Sequence, residues 1–182
     1  MKKRAEKYLA QFVFGAIDGS VTTFAVIAGA AGARLASVVV IILGIANLIA
    51  DGFSMGASAY LSAKSERDLD KKDQKNHQHD RSPQKTGMAT FLAFIIVGAV
   101  PLSTYIIDAL FNLKLSIDYL FTVSSLLTAL AFIFIGILKG RVTKTSTLKA
   151  ATETLLLGGI AAILAYSLGS LLANLLGVDT LP

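Results

Sequence analysis

Five long apolar segments separated by charged clusters constrain the fold of this chain more than any other feature. A helix of about 20 apolar residues crosses the hydrocarbon core of a bilayer, and it satisfies its own backbone polar groups there. The sequence therefore predicts an all-α, polytopic membrane protein with five transmembrane helices in a single domain over residues 1–182. The predicted spans are residues 9–30, 36–63, 88–110, 119–138 and 151–178.

The composition supports a membrane protein over a soluble one. Hydrophobic residues make up 54% of the chain and charged residues 16%, with a mean hydropathy of +0.65, whereas soluble domains carry roughly a quarter charged residues. The net charge of +5 does not indicate nucleic-acid binding. The basic residues flank the apolar segments, and no aromatic residues alternate with them as in a nucleic-acid-binding surface. The absence of cysteine excludes disulfides and thiolate metal sites.

The distribution of Lys and Arg predicts the orientation of the bundle. Of the 17 basic residues, all but Arg34 and Lys114 fall on one side of the membrane when the spans alternate. Cytoplasmic loops carry the excess of Lys and Arg. We therefore expect a cytoplasmic N-terminus, an external C-terminus, and a short cytosolic linker at residues 64–87.

The first segment has an alternative reading as a secretory signal peptide. Basic residues at 2–4 precede an apolar run, and a stretch of small residues follows at 28–33, which is the order found in such peptides. Asp18, Ser20 and Thr22 interrupt the apolar run. These polar residues favour a transmembrane helix.

Two carboxylates inside the spans are the first candidates for function, because an ionised group at mid-bilayer costs about 2.5–3.5 kcal/mol. They are Asp18 in the first span and Asp51 in the second. Asn47 and Met55 lie one helical turn on either side of Asp51, on the same face. Oxygen ligands together with a thioether favour iron(II) or a later transition metal over magnesium or calcium. Asn47 alone is equally typical of an interhelical hydrogen bond, and Met55 of packing.

Other polar residues allow two readings each. His77 and His79 either bind a metal or belong to a solvated loop. Glu153, near the start of the fifth span, either serves as a metal ligand where the ion enters or complements the helix dipole. Pro101 is expected to kink the third span.

The sequence lacks the motifs of several function classes. No phosphate-binding Gly-x-x-x-x-Gly-Lys-Ser/Thr loop is present, so primary pumping by this chain is not expected. No catalytic triad or two-histidine metalloprotease spacing occurs in the spans. We therefore expect neither an enzyme nor a bound cofactor, with the metal serving as substrate.

Several motifs resemble the vacuolar iron transporter family over nearly the whole chain. The resemblance implies a five-helix dimer whose ion path lies at the subunit interface, lined by helices 1 and 2. It also implies exchange of cytosolic iron(II), and often manganese(II), for protons. Asp18 and Met55 match family residues of helices 1 and 2. The motifs are Gly-Ala-Ile-Asp-Gly at 15–19, Asp-Gly-Phe-Ser-Met-Gly at 51–56, and the segments 59–66, 98–102, 139–141 and 153–159.

The chain departs from the family pattern in three places. Many members carry a glutamate-rich insertion between helices 2 and 3, which is missing here as it is in the nodulin-like branch. Many members have glutamate where Asn47 and Ala59 stand. Asp51 occupies a position at which family members often have a small residue. The acidic group of helix 2 therefore lies one turn away from the usual glutamate position, on the same face of the helix.

These observations predict a secondary transporter that moves iron(II) or manganese(II) out of the cytosol by proton antiport. Its expected partners are the bilayer, the metal ions, protons and a second copy of the chain. We expect it in the cell (inner) membrane, or in the vacuolar membrane of a eukaryote. One alternative is a non-transporting membrane module that senses metal or regulates a partner. Another is a proton-coupled transporter of an organic solute, which the scarcity of aromatic residues near Asp18 and Asp51 disfavours.

Overall fold

The computed structural model describes residues 2–72 and 82–177, and over these ranges the chain forms five α-helices and no strand. Each helix is long and apolar enough to cross a membrane. The predicted all-α fold with five spans is therefore confirmed, and the chain is a multi-pass membrane protein. The helices are α1 (Lys2–Gly32), α2 (Ser37–Lys72), α3 (Pro83–Phe111), α4 (Ile117–Thr143) and α5 (Thr147–Leu176).

The helices extend past most of the predicted span ends because polar residues cap them outside the apolar core. The Ser116 side chain accepts a hydrogen bond from the Tyr119 N–H at the start of α4, and α3 begins with a proline at its first position, where a missing N–H costs nothing. α5 ends at Gly177, whose φ of 68° is a left-handed conformation that glycine adopts freely. α2 continues well past residue 63 into a charged segment that ends at Lys72.

Glycines bring α1 into backbone contact with α3. The α-carbon of Gly15 lies against the backbone of Thr90, and that of Gly19 lies against the backbone of Phe94. A Cβ at Gly98 would lie 2.7 Å from the Gly19 carbonyl oxygen. Small residues allow this approach in membranes, where helices associate mainly by close packing. Because higher numbers on α1 face higher numbers on α3, the two helices run parallel.

The other helices alternate in direction. Gly52 faces Phe94 and Gly56 faces Gly87, so α2 runs antiparallel to α3. The α4 glycines Gly136 and Gly140 lie against the first residues of α5, so these two helices are antiparallel as well. We call the "basic end" the end of the bundle at which α1, α3 and α5 begin and α2 and α4 end.

α1 is the central helix, since it contacts each of the other four. Around it lies a core of fully buried side chains that includes Ile27, Phe94, Leu102 and Tyr105. α5 is the most peripheral helix, and most of its leucines are exposed. In a bilayer these exposed apolar residues face lipid or another protein.

Buried hydroxyl groups are satisfied mainly by the helices that carry them. Thr90, Thr128 and Thr154 each donate to the carbonyl four residues earlier, at 2.7–3.1 Å. Ser124 of α4 instead donates to the carbonyl of Pro101 at 2.6 Å, which joins α4 to α3. α3 remains helical through Pro101.

We expect Gly19→Ala to destabilise the bundle. The new methyl group would lie 2.8 Å from the Phe94 Cα, and overpacking of this kind costs about 1–3 kcal/mol. Gly159→Ala is the matched control, because nothing lies within 4 Å of its added methyl and alanine is favoured over glycine in helices by about 1 kcal/mol. Thermal unfolding in detergent, followed by size-exclusion chromatography, should show a lower midpoint for the first variant only. Equal midpoints would contradict the packing described here.

The predicted orientation can be tested with single cysteines, because the chain has none of its own. Leu113→Cys lies between α3 and α4, opposite the basic end, and Thr145→Cys lies between α4 and α5 at the basic end. A membrane-impermeant maleimide applied to intact cells should label the first variant, and the second only after lysis. The reverse pattern would show that the N-terminus is external.

Candidate functional site

The two intramembrane carboxylates lie on neighbouring helices in the middle of the bundle. Asp18 of α1 is half-buried and Asp51 of α2 is exposed on the outer surface of the single chain. The two groups are close enough for their charges to interact. The structure therefore brings together the two residues that the sequence analysis considered first.

The position of Asp18 follows from the packing of the glycines on either side of it. Gly15 and Gly19 occupy the face of α1 that lies against α3, which fixes the rotation of the helix. The nearby hydroxyls do not bind the carboxylate: Ser20 donates to the Ala16 carbonyl at 2.8 Å, and Thr22 donates to the Asp18 backbone carbonyl at 2.8 Å. The Asp18 side chain is thus left available to a ligand.

Asn47 lies one turn from Asp51 and forms a hydrogen bond between the helices. Its Nδ2 donates to the Thr23 hydroxyl of α1 at 3.4 Å. This is the interhelical role that the sequence analysis held open. It holds α2 against α1 beside the carboxylates, and it uses the amide nitrogen without using the amide oxygen.

Met55 lies one turn from Asp51 on the other side. It is half-buried and packs against the main apolar core, and it also lines an open groove between α1, α2 and α3. The packing interpretation of this residue from sequence is therefore confirmed, and its role as a metal ligand stays a prediction.

Glu153 does not belong to this cluster. It lies in the first turns of α5 at the basic end, is exposed, and its Oε2 accepts a hydrogen bond from the Lys139 Nζ at 3.3 Å. His77 and His79 fall outside the described residues. Within the described ranges, no group of three or more His, Asp and Glu side chains is placed to hold a metal ion.

One feature of the site was not found from sequence. The groove that Met55 lines is also bordered by Gln11 of α1, Glu66 of α2, and Thr86 and Thr90 of α3. The side-chain oxygen of Gln11 is buried without a hydrogen-bond partner. The helical spacing of Met55 and Glu66 on α2 was a usable signal, but the side of α2 that α3 covers was not predictable from one sequence.

The sequence matches the model of a known protein family over most of its length. The sequence model of the VIT family matches residues 9–81 and 71–170, which together cover most of the chain. The two matched pieces meet at 71–81, between α2 and α3. This is the place where the resemblance predicted a missing insertion.

Curated relatives named vacuolar iron transporter match over most of their length. The protein of Toxoplasma gondii is 26% identical over 94% of this chain and 76% of its own length. That of Plasmodium falciparum is 26% identical over 91% of this chain and 82% of its own. Vacuolar iron transporter 1 of Arabidopsis thaliana is 23% identical over 93% and 88%.

The alignment with the Toxoplasma protein extends over 231 positions, although this chain has only 182 residues. The Toxoplasma protein therefore contains internal residues that this chain lacks. This agrees with a shorter connection between helices in this chain. The match of the family model across both halves of the five-helix bundle shows that this chain belongs to the VIT family.

Proposed function

We propose that this protein is a secondary transporter that moves iron(II), manganese(II) or both out of the cytosol in exchange for protons. The observation that carries the proposal is the pair of neighbouring carboxylates, Asp18 and Asp51, inside the membrane-spanning part of the bundle. Relatives named as iron transporters cover nearly the whole chain, which supports a metal ion as the substrate.

The available ligands suit a divalent transition metal. Asp18 and Asp51 offer carboxylate oxygens, Asn47 offers an amide oxygen, and Met55 offers a thioether. Hard oxygen ligands bind divalent cations in general, and the softer sulfur adds preference for iron(II) over magnesium or calcium.

The carboxylate pair also gives a physical reason for exchange with protons. Two like charges close together in a low-dielectric region repel each other. A bound divalent cation removes this repulsion, and so do protons bound to the carboxyl groups. The metal and the protons therefore compete for the same oxygens, and release of one is favoured by binding of the other.

A second copy of the chain is part of the proposal. α2 presents an exposed polar stripe that would otherwise face lipid, where unpaired polar groups are costly. A two-fold axis along this stripe would cover it and would bring together the carboxylates of both copies. The stripe consists of Asp51, Ser54, Ser58, Ser62 and Ser65, all exposed in the single chain.

We expect Asp18→Asn and Asp51→Asn each to reduce metal transport by at least roughly tenfold, because either change removes a charged ligand. The measurement is uptake of iron(II), manganese(II), cobalt(II) and zinc(II) into proteoliposomes with an imposed pH gradient. Dissipating the gradient with a protonophore should abolish accumulation by the unmodified protein.

Asp118→Asn is the control for loss of a carboxylate. Asp118 lies exposed in the first turn of α4, opposite the basic end, and its variant should transport normally. Normal transport by both site variants would exclude the proposed site. Metal binding without any transport would instead support the sensing or regulatory alternative.

Met55→Leu should change selectivity more than overall transport. The substitution keeps the volume of the side chain but removes the sulfur ligand, so uptake of iron(II) should fall relative to manganese(II). Met88→Leu is the matched control, since Met88 is exposed on α3 and lines a different groove, with Phe53 and Tyr60. An iron-to-manganese ratio that is the same in both variants would show that the Met55 sulfur does not bind the ion.

A further inference from the structure

A groove of about 350 Å³ opens between α1, α2 and α3 in the half of the bundle nearer the basic end. It follows one face of α2 from Met55, past Ser58 and Ser62, to Glu66. Eleven residues of helix separate the two ends, or about 16 Å at 1.5 Å per residue. The groove therefore reaches from the level of the central carboxylates toward the aqueous side.

Three polar side chains of the groove wall, on α1 and α3, offer hydrogen-bond acceptors. Thr86 and Thr90 donate their hydroxyl protons to the carbonyls of Ser82 and Thr86, at 3.1 Å each, so their oxygens have only lone pairs left to offer. The buried side-chain oxygen of Gln11 has no partner. An acceptor left unpaired in this way costs about 1–3 kcal/mol, which a bound cation or its water would recover.

The only charge among the ten described residues that line the groove is the carboxylate of Glu66. None of the ten is basic. Much of the lining is apolar, but its oxygen atoms together with one negative and no positive charge favour a cation over an anion. The volume is sufficient as well, because a divalent cation with six waters needs roughly 200 Å³ at about 30 Å³ per water.

The groove is placed to deliver an ion to the central carboxylates. Gln11 lies two helical turns before Asp18 on the same face of α1, and Met55 lies one turn after Asp51 on α2. An ion held between Gln11 and Glu66 therefore needs to move only along the groove, past Met55, to reach Asp18 and Asp51.

We propose that this groove is a second cation site, which holds a hydrated divalent metal ion through Glu66 and Gln11 before the ion reaches the central carboxylates. The inference rests on the proposed function for the role of the site in transport. Binding itself does not require that function, so the two can be tested separately.

The binding test uses manganese(II) as the probe and the full-length Asp18→Asn/Asp51→Asn double variant, in which the central site is removed. Free hydrated manganese(II) gives a sharp paramagnetic resonance spectrum that broadens on binding, so the bound fraction can be titrated in detergent. We expect the double variant to retain saturable manganese binding. Adding Glu66→Gln should weaken that binding at least roughly tenfold, since it removes the only charged ligand.

Gln11 gives a test that a merely structural role would not satisfy. In the same background, Gln11→Leu should weaken manganese binding, whereas Gln11→Glu should strengthen it by adding a second carboxylate. Asp118→Asn serves as the control with the same loss of charge at the opposite end. Elution volume and helical content should match the parent protein in every variant.

Absence of manganese binding in the double variant, or binding unchanged by Glu66→Gln and Gln11→Glu, would overturn the inference. In proteoliposomes, Glu66→Gln in the otherwise unmodified chain should raise the KM for manganese(II) and leave the maximal rate unchanged. Transport that persists with an unchanged KM would exclude a role of the groove site in transport, without affecting the central site. If the unmodified chain transports no metal but manganese still binds in the groove, the transport proposal is excluded and the groove site remains supported.

Discussion

The close backbone contact between α1 and α3 at Gly15, Gly19 and Gly98 determines where every other polar group of the site can lie. It fixes the rotation of α1, and in this arrangement Asp18 lies within charge-interaction range of Asp51 on α2. It also places Thr90 of α3 next to Gln11 on the groove wall. A side chain at Gly19 or Gly98 would separate the helices and alter both arrangements together. The packing of small residues is therefore a condition for the chemistry and for stability alike.

Most polar groups in this bundle are satisfied locally, and that makes the exceptions informative. Buried threonines bind their own helix, Ser124 binds the Pro101 carbonyl, and Asn47 binds Thr23. Asp18 and Asp51 have no such partner among the hydrogen bonds described here. In a membrane, an unpaired carboxylate is costly, and this cost at two neighbouring positions is the physical basis of the proposed cation site.

The spans were predictable because hydropathy and length alone define a transmembrane helix, and all five were confirmed. The approximate position of Asp18 beside Asp51 was also expected, since consecutive helices in a bundle tend to be neighbours. The groove was not expected, because it depends on which faces of α2 and α3 meet. Thr86 and Thr90 of α3 line the groove, although no candidate ligand was predicted on that helix. The pairing of Glu153 with Lys139 likewise depends on how α4 and α5 pack.

The distribution of charge along the ion's route gives the bundle a direction. Glu66 lies where the groove opens near the basic end, in a segment of α2 that also carries Lys64 and Arg67. Neither basic residue lines the groove, so the attraction of Glu66 acts inside it while the positive charges remain outside. In the proposed transport, a cation would meet acceptors of increasing charge as it moves inward, from one carboxylate at Glu66 to the pair at Asp18 and Asp51. Under the proposed exchange, protons that arrive from the opposite side would then occupy the central oxygens, which would link uptake at the basic end to release at the other.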